Sequence, residues 1–477
     1  MKNTILLFCS ILLYQLSMAQ QVSIPSIIKG VTVMVAFQGA PMNDPIQEVD
    51  DLMNKQNYTG NEQIGSVRDY FYTQTSGKVT ITSTVVKVTL SKSFGYYETN
   101  KLNYVDEAID LVNQNYPNGF LNLTPDPVDG KLLHINFISR ATGRSSTNGA
   151  SAGKFIKNNT TSQIEVGQGN MTFLGSSSLN INTICHEMGH SVMGWTDYYA
   201  TAFSNLGNYC VMASAGTNNA PMPINPALRM QRHWIDNVIS VSGTTTQTYT
   251  LTANSYTTIH KYTNPNNPKE YLLFNAYKID GYYQSIMGTN TPEGLAIWYV
   301  DEETGYDAPL NPNDDNQYFI RLVQADNKDE MHDEFLVPSD VRGDFEDLYG
   351  SVNKSFPNGT PFRWKDGGEF GININNISSP GATMQFTVTA RPNTIVASSD
   401  INGNISPKGT LSVANGQSKT FNFTPNLGYE IDQVKVNGFV VATANPFVLS
   451  GISGTKTVSV TFKRKATQAA LPTPWQK

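Results

Sequence analysis

The stretch that decides the fold is residues 186–199, HEMGHSVMGWTDYY. His186 and His190 are four residues apart, so on a helix both imidazoles project from the same face. Two imidazoles at this spacing can reach one tetrahedral zinc ion at about 2 Å. Glu187 points away from that pair, where its carboxylate can hydrogen-bond a zinc-bound water and act as general base. The pattern predicts a catalytic zinc helix over 178–193; the alternative is an ordinary buried helix with hydrogen-bonded histidines.

A catalytic zinc needs a third protein ligand and keeps one position open. One class of zinc peptidase takes a glutamate from a later helix, but here no acidic residue lies between Asp197 and Asp236 and no glutamate lies between Glu187 and Glu270. Another class turns at a glycine after the helix, and Gly194 suits a left-handed position that ends a helix. Asp197 is therefore the predicted third ligand. His233 and Asp236 are the alternatives, and Asp197 itself has a capping role as its alternative.

A second motif follows in residues 207–214, GNYCVMAS. A methionine in a tight turn after the zinc segment resembles the Met-turn that underlies the metal in metzincins, and Met212 has that position. The alternative for Met212 is an ordinary core residue. Tyr198 and Tyr199 are candidates to donate a phenol to a developing oxyanion, with aromatic packing as the alternative for each.

Composition limits what the whole chain can be. Its 477 residues suggest two to four domains. With 39% apolar residues the chain can form a buried core, which excludes disorder as its main state. The net charge of -6 argues against a protein that binds nucleic acid or an anionic membrane, since either would need a basic face.

The N-terminus predicts export. Lys2 precedes an apolar stretch over 5–16, and the small-x-small triplet 17–19 suits cleavage after Ala19, so 1–19 is predicted to be a signal peptide and the protein to be secreted. A membrane anchor is the alternative, but the stretch is shorter than the roughly 20 residues that a span needs. No later segment is apolar enough to span, so we expect no membrane span. Cleavage would remove Cys9 and leave Cys185 and Cys210, either as a disulfide or as two free buried thiols.

Hydrophobic patterning divides the chain. The first 240 residues mix both element types, with strands predicted at 29–39, 77–90 and 132–139 and helices at 66–73 and 105–115. After about 240, turn residues separate short predicted strands at 246–252, 270–276, 294–300, 317–324 and 383–389. We therefore predict a signal peptide (1–19), a catalytic domain (20–240), a β-rich domain packed on it (241–390), a small β module (394–465) and a disordered tail (466–477).

Beyond the zinc motif, the chain resembles the immune inhibitor A family of secreted bacterial metalloproteases, which are metzincin-like. The resemblance covers roughly residues 28–390, and its segments are 65–82, 186–199, 208–214, 226–235, 270–277, 293–302, 320–327 and 343–349. It implies a mixed α/β, metzincin-like zinc protease domain followed by a mostly β domain, and a protein or peptide substrate. Two departures concern the site. Gly194 lies four residues after His190 rather than three, and the third ligand is an aspartate rather than a histidine.

The resemblance also implies structural calcium. The stretch 326–347 is rich in acidic residues, and carboxylates packed into turns suit calcium. The candidate ligands are Asp326, Asp329, Asp344 and Asp347. The alternative is a solvated acidic loop.

Residues 402–438 are similar to the small β repeats of internalin-type bacterial surface proteins, which serve as spacers or adhesion units. For the whole chain we predict peptide-bond hydrolysis by metal-activated water, with Glu187 as general base and the substrate extended along an edge strand within 163–175. The alternatives are a non-catalytic surface-binding or adhesion protein with a structural zinc, and a zinc hydrolase that acts on glycoproteins.

Overall fold

A computed structural model gives the fold of most of the chain. It describes residues 24–142, 147–150, 153–199, 206–214, 216–217, 220–285, 293–304, 319–328, 331, 343–344, 346–351, 353–357, 360, 362–390, 393–413, 416–441, 444–452 and 454–465. The predicted signal peptide and the predicted tail lie outside these residues. Within them, no helix is both long enough and apolar enough to cross a bilayer.

The chain divides into two compact units. Unit 1 comprises Met1–Trp195, Thr217–Pro221 and Arg229–Trp234, and unit 2 comprises Thr196–Gly216, Met222–Leu228 and Ile235–Lys477. This division differs from the boundary predicted near residue 240. Part of the reason is Tyr209, whose ring lies 5.6 Å from that of Tyr277 and 5.8 Å from that of Trp298, so its segment packs with the later strands.

The helices in the described chain are α1 (Ile46–Asn54), α2 (Val67–Gln74), α3 (Phe94–Asn100), α4 (Tyr104–Asn115), α5 (Asn182–Ser191) and α6 (Pro226–Gln231), with short 3-10 turns at Gly60–Glu62, Gly207–Tyr209 and Gly281–Ser285. The predicted helices at 66–73 and 105–115 are confirmed as α2 and α4. Ser66 caps α2, since its side chain accepts from the backbone N–H of Asp69 while the Asp69 carboxylate accepts from that of Ser66.

Unit 1 is built on one five-stranded sheet. The early strands are β1 (Ile27–Ala36), β2 (Thr80–Thr89), β3 (Ile135–Ser139), β4 (Thr147–Ala150), β5 (Phe155–Lys157), β6 (Gln163–Glu165), β7 (Gln168–Phe173), β8 (Gly216–Thr217) and β9 (Ala220–Pro221). The sheet order is β2-β1-β3-β7-β4, in which β4 pairs antiparallel with β7 and the other neighbours are parallel. The strands predicted at 29–39, 77–90 and 132–139 are confirmed as β1, β2 and β3.

The two faces of this sheet differ in chemistry. One face is apolar and packs under α4, through residues such as Val33, Phe137 and Ile109. The opposite face carries a polar row, because Thr32, Asn136 and Asn170 are register partners across β1, β3 and β7 and are all fully buried. Helix α5 lies on this polar face.

Unit 2 begins with two β-sheets. Its first strands are β10 (Asn237–Ser240), β11 (Gln247–Thr252), β12 (Thr258–Asn264), β13 (Asn267–Tyr277), β14 (Gly294–Asp301), β15 (Ile320–Leu322), β16 (Ile372–Asn375) and β17 (Thr383–Ala390). They form sheets of order β10-β12-β13-β14-β15 and β11-β17-β16, which share one hydrophobic core. All five strands predicted in this region are present, with bounds that shift by a few residues.

The C-terminal β module belongs to the same unit. Its strands are β18 (Asn393–Ser399), β19 (Gly403–Ser406), β20 (Gly409–Val413), β21 (Lys419–Pro425), β22 (Tyr429–Val436), β23 (Phe439–Val441), β24 (Phe447–Leu449) and β25 (Lys456–Arg464). They form sheets of order β20-β18-β25-β22-β23 and β19-β21-β24 around a core of their own. The buried Lys456 bonds Asp366 at 3.1 Å, which attaches the start of β25 to the segment before β16.

Candidate metal centre

Helix α5 carries the two histidines on a buried element. It spans Asn182–Ser191 and is therefore shorter at both ends than the 178–193 predicted. At its start, the side-chain oxygen of Asn180 accepts from the backbone N–H of Asn182 at 3.3 Å. His186 and Glu187 are 7% and 6% exposed, so both side chains are held by their surroundings rather than by solvent.

The end of α5 is wider than the end of a regular α-helix. The Met193 N–H bonds the Met188 carbonyl, five residues back, and the Trp195 N–H bonds the Gly189 carbonyl, six residues back. Both loops are wider than the four-residue step of an α-helix. Gly194 has φ +66, the left-handed position predicted for it. Helix α5 is therefore followed by a widened turn, after which the chain reverses direction.

His186, His190 and Asp197 come together. One ligand atom from each lies within 4.8 Å of the other two, and the imidazole rings of the histidines are 5.0 Å apart and nearly perpendicular. Among the residues the structure describes, this is the one group of three or more His, Cys, Asp or Glu side chains that could hold a metal ion. The alternatives His233 and Asp236 are not part of it, and His233 is exposed on the surface.

The ring of His190 is oriented by the backbone that returns after the helix. Its Nδ1 lies 2.6 Å from the carbonyl oxygen of Trp195. A carbonyl can only accept, so this contact places the ring proton on Nδ1 and leaves the Nε2 lone pair for a metal. Trp195 is held in turn, since its indole N–H donates to Gln231 at 3.1 Å and its ring packs edge-on against Trp234 at 5.8 Å.

The donor set fits zinc. Two imidazole nitrogens and one carboxylate oxygen are ligands that zinc binds, and three protein ligands are what a catalytic site uses. Ligand atoms about 2 Å from a tetrahedral ion are roughly 3.3 Å from one another. The ligand atoms here lie within 4.8 Å of one another, so small side-chain rotations bring all three to the distance that zinc requires. His186, His190 and Asp197 would hold the ion.

Met212 lies in a tight turn and is fully buried. The N–H groups of Ala213 and Ser214 both bond the Cys210 carbonyl, at 3.0 and 2.9 Å, which closes the turn around Met212. The Met212 carbonyl accepts from the N–H of Tyr198 at 2.9 Å. The turn is therefore tied to the residue directly after Asp197.

The neighbouring tyrosines and cysteines have contrasting environments. Tyr198 is buried and Tyr199 is 43% exposed, so only Tyr199 has a side chain open to solvent. Cys185 and Cys210 are both buried and are not joined in a disulfide, so of the two states predicted for them the structure has the unbridged one. Burial raises the pKa of the Cys185 thiol well above its usual value, which keeps it protonated and unreactive.

The predicted calcium residues are held by other contacts. The buried Asp347 carboxylate accepts from the Gln324 amide at 2.5 Å and from the Asp344 N–H at 2.6 Å. Asp326 pairs with Lys328 at 3.0 Å. Asp329 lies outside the described residues. Calcium in this stretch stays a prediction.

Two features of the site were not predicted from the sequence. Ser191 at the end of α5 donates to the side chain of Asn170 in β7, which ties α5 to the polar face of the sheet. A polar residue in the middle of the buried strand QGNMTF was the available signal. The second feature is the edge strand β4. Of the two strands within the predicted 163–175, β7 lies inside the five-stranded sheet, whereas β6 pairs only with β5 in a separate two-stranded sheet.

A scan against protein-family models and a search of curated proteins found no match to this chain.

Proposed function

We propose that the chain is a secreted, zinc-dependent endopeptidase of metzincin-like fold. The observation that carries the proposal is the convergence of His186, His190 and Asp197, with Glu187 adjacent on the same helix. The chain order supports it as well, because a Met-containing turn follows the three residues as the family resemblance implies.

Bound zinc would lower the pKa of its water and polarise the scissile carbonyl. Glu187 then accepts a proton from the attacking water and delivers it to the leaving amine. Its burial suits this role, since few bulk waters compete for its carboxylate. The bond between His190 and the Trp195 carbonyl keeps the imidazole in one tautomer throughout.

The substrate lies along β4 in this proposal, not within 163–175. An extended peptide can add as a further strand only where backbone groups face outward, and of the two edge strands of this sheet, β2 and β4, only β4 lies next to β7. Helix α5 contacts both β7 and β4, so a peptide on that edge lies beside the zinc helix.

The alternative of a non-catalytic protein with structural zinc requires four protein ligands. Among the described residues, the group around His186 offers three candidate ligands. A structural site also does not require a buried carboxylate such as that of Glu187 beside the metal. A zinc hydrolase acting on glycoproteins uses the same residues and differs only in substrate.

The decisive experiment compares wild type with Glu187→Gln on casein or gelatin, while bound zinc is measured in both. We expect Glu187→Gln to retain zinc and to lose activity by about 10²- to 10⁴-fold, the usual contribution of a general base. Glu62→Gln, at an exposed position, is the matched control and should leave activity unchanged. Activity that survives removal of zinc by a chelator, or full activity in Glu187→Gln, would overturn the proposal.

A further inference from the structure

The C-terminal module carries two aliphatic side chains that no part of the described chain covers. Ile401 is 92% exposed and Leu427 is 103% exposed, the two highest values among the large apolar residues. Ile401 lies in the turn between β18 and β19, and Leu427 lies in the turn between β21 and β22. Exposing an aliphatic side chain fully to water is unfavourable. Two such side chains on adjacent turns indicate a surface that binds another molecule.

The two turns form one surface, here named the apolar tip (Ile401 and Leu427). The N–H of Asn426 bonds the carbonyl of Asn402 at 2.9 Å, and its side-chain amide donates to the carbonyl of Ile401 at 3.1 Å. Both turns leave the same end of the β19–β21 pair, where Gly403 and Pro425 are register partners. The two turns are therefore joined by hydrogen bonds from the backbone and the side chain of Asn426.

The apolar tip lies at the end of the module away from its attachment. Strands β18 and β25 are parallel, and both begin where the module contacts the segment before β16: Lys456 bonds Asp366, and the N–H of Thr455 bonds Glu369. Both strands end beside the tip. Since β25 has nine residues, roughly 30 Å of strand separates the docking contacts from the tip.

Three basic residues lie on segments next to the two turns of this tip, and we name them the basic rim (Lys408, Arg464 and Lys465). The N–H of Lys465 bonds the carbonyl of Gly428, the residue after Leu427, and the ammonium of Lys408 lies 3.4 Å from the hydroxyl of Ser399. All three rim side chains are exposed.

The three acidic residues of the module keep their charge, but each has a partner within it. The Asp400 carboxylate accepts from two backbone N–H groups, those of Asn402 and Phe462, both at 2.9 Å. Glu430 and Asp432 lie 3.7 and 3.8 Å from the ammonium of Lys463, which is not part of the rim. Residues 394–465 hold seven basic and three acidic residues, a net charge of +4, in a chain whose total is -6.

We infer that this end of the module binds the surface of a lipid bilayer that contains anionic lipids, with Ile401 and Leu427 inserted between the headgroups and the basic rim against the phosphates. Stable attachment to a bilayer takes an apolar anchor together with a basic patch, and the tip and its rim supply both. The overall negative charge of the chain had argued against this partner, but the charge that matters is local.

Other partners fit less well. An acidic polysaccharide would use the basic rim but would gain little from two aliphatic side chains. A second copy of the chain would need roughly 800 Å² of interface per partner, which two side chains do not supply. A bilayer uses both features at once.

The test is co-sedimentation of the full-length protein with vesicles of phosphatidylcholine, alone or mixed with phosphatidylglycerol. We expect binding to the mixed vesicles that weakens as salt is added. The double variant Ile401→Asn/Leu427→Asn should bind at least roughly tenfold more weakly, because it removes the apolar anchor. The variant Lys465→Glu should also weaken binding, by roughly fivefold or more.

The matched control is Leu121→Asn/Val128→Asn, which removes two similar side chains, 75% and 74% exposed, from unit 1 and should leave binding unchanged. A second readout does not depend on affinity. Tryptophan emission of Leu427→Trp should shift to the blue on mixed vesicles, whereas that of Val448→Trp, elsewhere in the module, should not. No binding to mixed vesicles, binding that the double variant retains in full, or capture by an acidic polysaccharide without vesicle binding would each overturn the inference.

Discussion

The Nδ1 atom of His190 lies 2.6 Å from the carbonyl oxygen of Trp195, five residues further along the chain. This contact exists because Gly194 turns the backbone at φ +66 and brings the Trp195 carbonyl back toward the helix. The orientation of one proposed zinc ligand therefore depends on a glycine that touches no metal.

Replacing that glycine should weaken zinc binding. In Gly194→Ala the side chain disfavours the left-handed backbone by about 1–2 kcal/mol, and any relaxation moves the Trp195 carbonyl away from His190. We expect zinc affinity to fall by about ten- to a hundredfold, the usual effect of losing a partner that orients a ligand. Competition with a chromophoric chelator measures the affinity.

Gly130→Ala is the control for this variant. Gly130 has φ +73 and nothing within 4 Å of an added Cβ, so its substitution has the same backbone cost without a link to the histidines. Zinc affinity should stay at the wild-type value there. Equal loss of affinity in both variants would show that general destabilisation, not ring orientation, is responsible.

The identity of the third ligand gives a second prediction. Asp197→Ala should lower zinc affinity by more than about a hundredfold, since losing an outer partner alone costs up to about that much. Asp236→Ala and His233→Asn, at the alternative positions, should bind zinc as wild type does. Zinc content after dialysis, together with chelator competition, distinguishes the three. A larger loss in His233→Asn than in Asp197→Ala would assign the ligand to the other residue.

The sequence predicted those parts of the site that depend on local spacing. His186, Glu187 and His190 lie on one helix, and Asp197 follows His190 by only seven residues. Their proximity can therefore be predicted without knowing the rest of the fold. Strands β1 and β3 were also predicted, because strands buried on both faces have near-continuous apolar sequences.

What the sequence did not predict depends on pairings between distant segments. The edge strand β4 has the sequence TNGA, which lacks the apolar alternation of a strand, and it forms because β7 lies beside it. The unit boundary differs for a similar reason, since the partners of Tyr209 are Tyr277 and Trp298, more than sixty residues later. The predicted ends of α5 were wrong because the helix begins after Asn180, whose side chain bonds its first turn, and ends at the widened turn.

A pH dependence of stability follows from His134, directly before β3. It is fully buried, and burial without a partner for either ring nitrogen lowers its pKa to about 4 from 6.5. As pH falls, His134 is protonated in the unfolded chain before it is protonated in the folded chain. The contribution of this group to stability is therefore present above pH 6.5 and is lost progressively toward pH 4. Between pH 7 and pH 5 the loss from this group should be about 2 kcal/mol.

Denaturant unfolding at the two pH values measures this loss. In His134→Leu the titrating group is absent, so the difference in unfolding free energy between pH 7 and pH 5 should shrink by that amount. His233→Asn, which removes an exposed histidine, should leave the difference unchanged. An equal pH dependence in wild type and His134→Leu would contradict the assignment.

Packing around the same histidine gives the last prediction. A Cβ added to Gly30 in β1 would lie 2.2 Å from the His134 carbonyl oxygen and 2.4 Å from its ring, which real contacts do not allow. Because the carbonyl is backbone inside a sheet, the neighbour cannot move aside, and glycine is needed where two strands approach so closely. Gly30→Ala should destabilise unit 1 by about 3 kcal/mol. Gly95→Ala in α3, with nothing within 4 Å of the new Cβ, should instead be neutral or stabilising by up to about 1 kcal/mol, because alanine favours helix. Equal unfolding midpoints for Gly30→Ala and wild type would show that β1 and the residue before β3 are further apart than described.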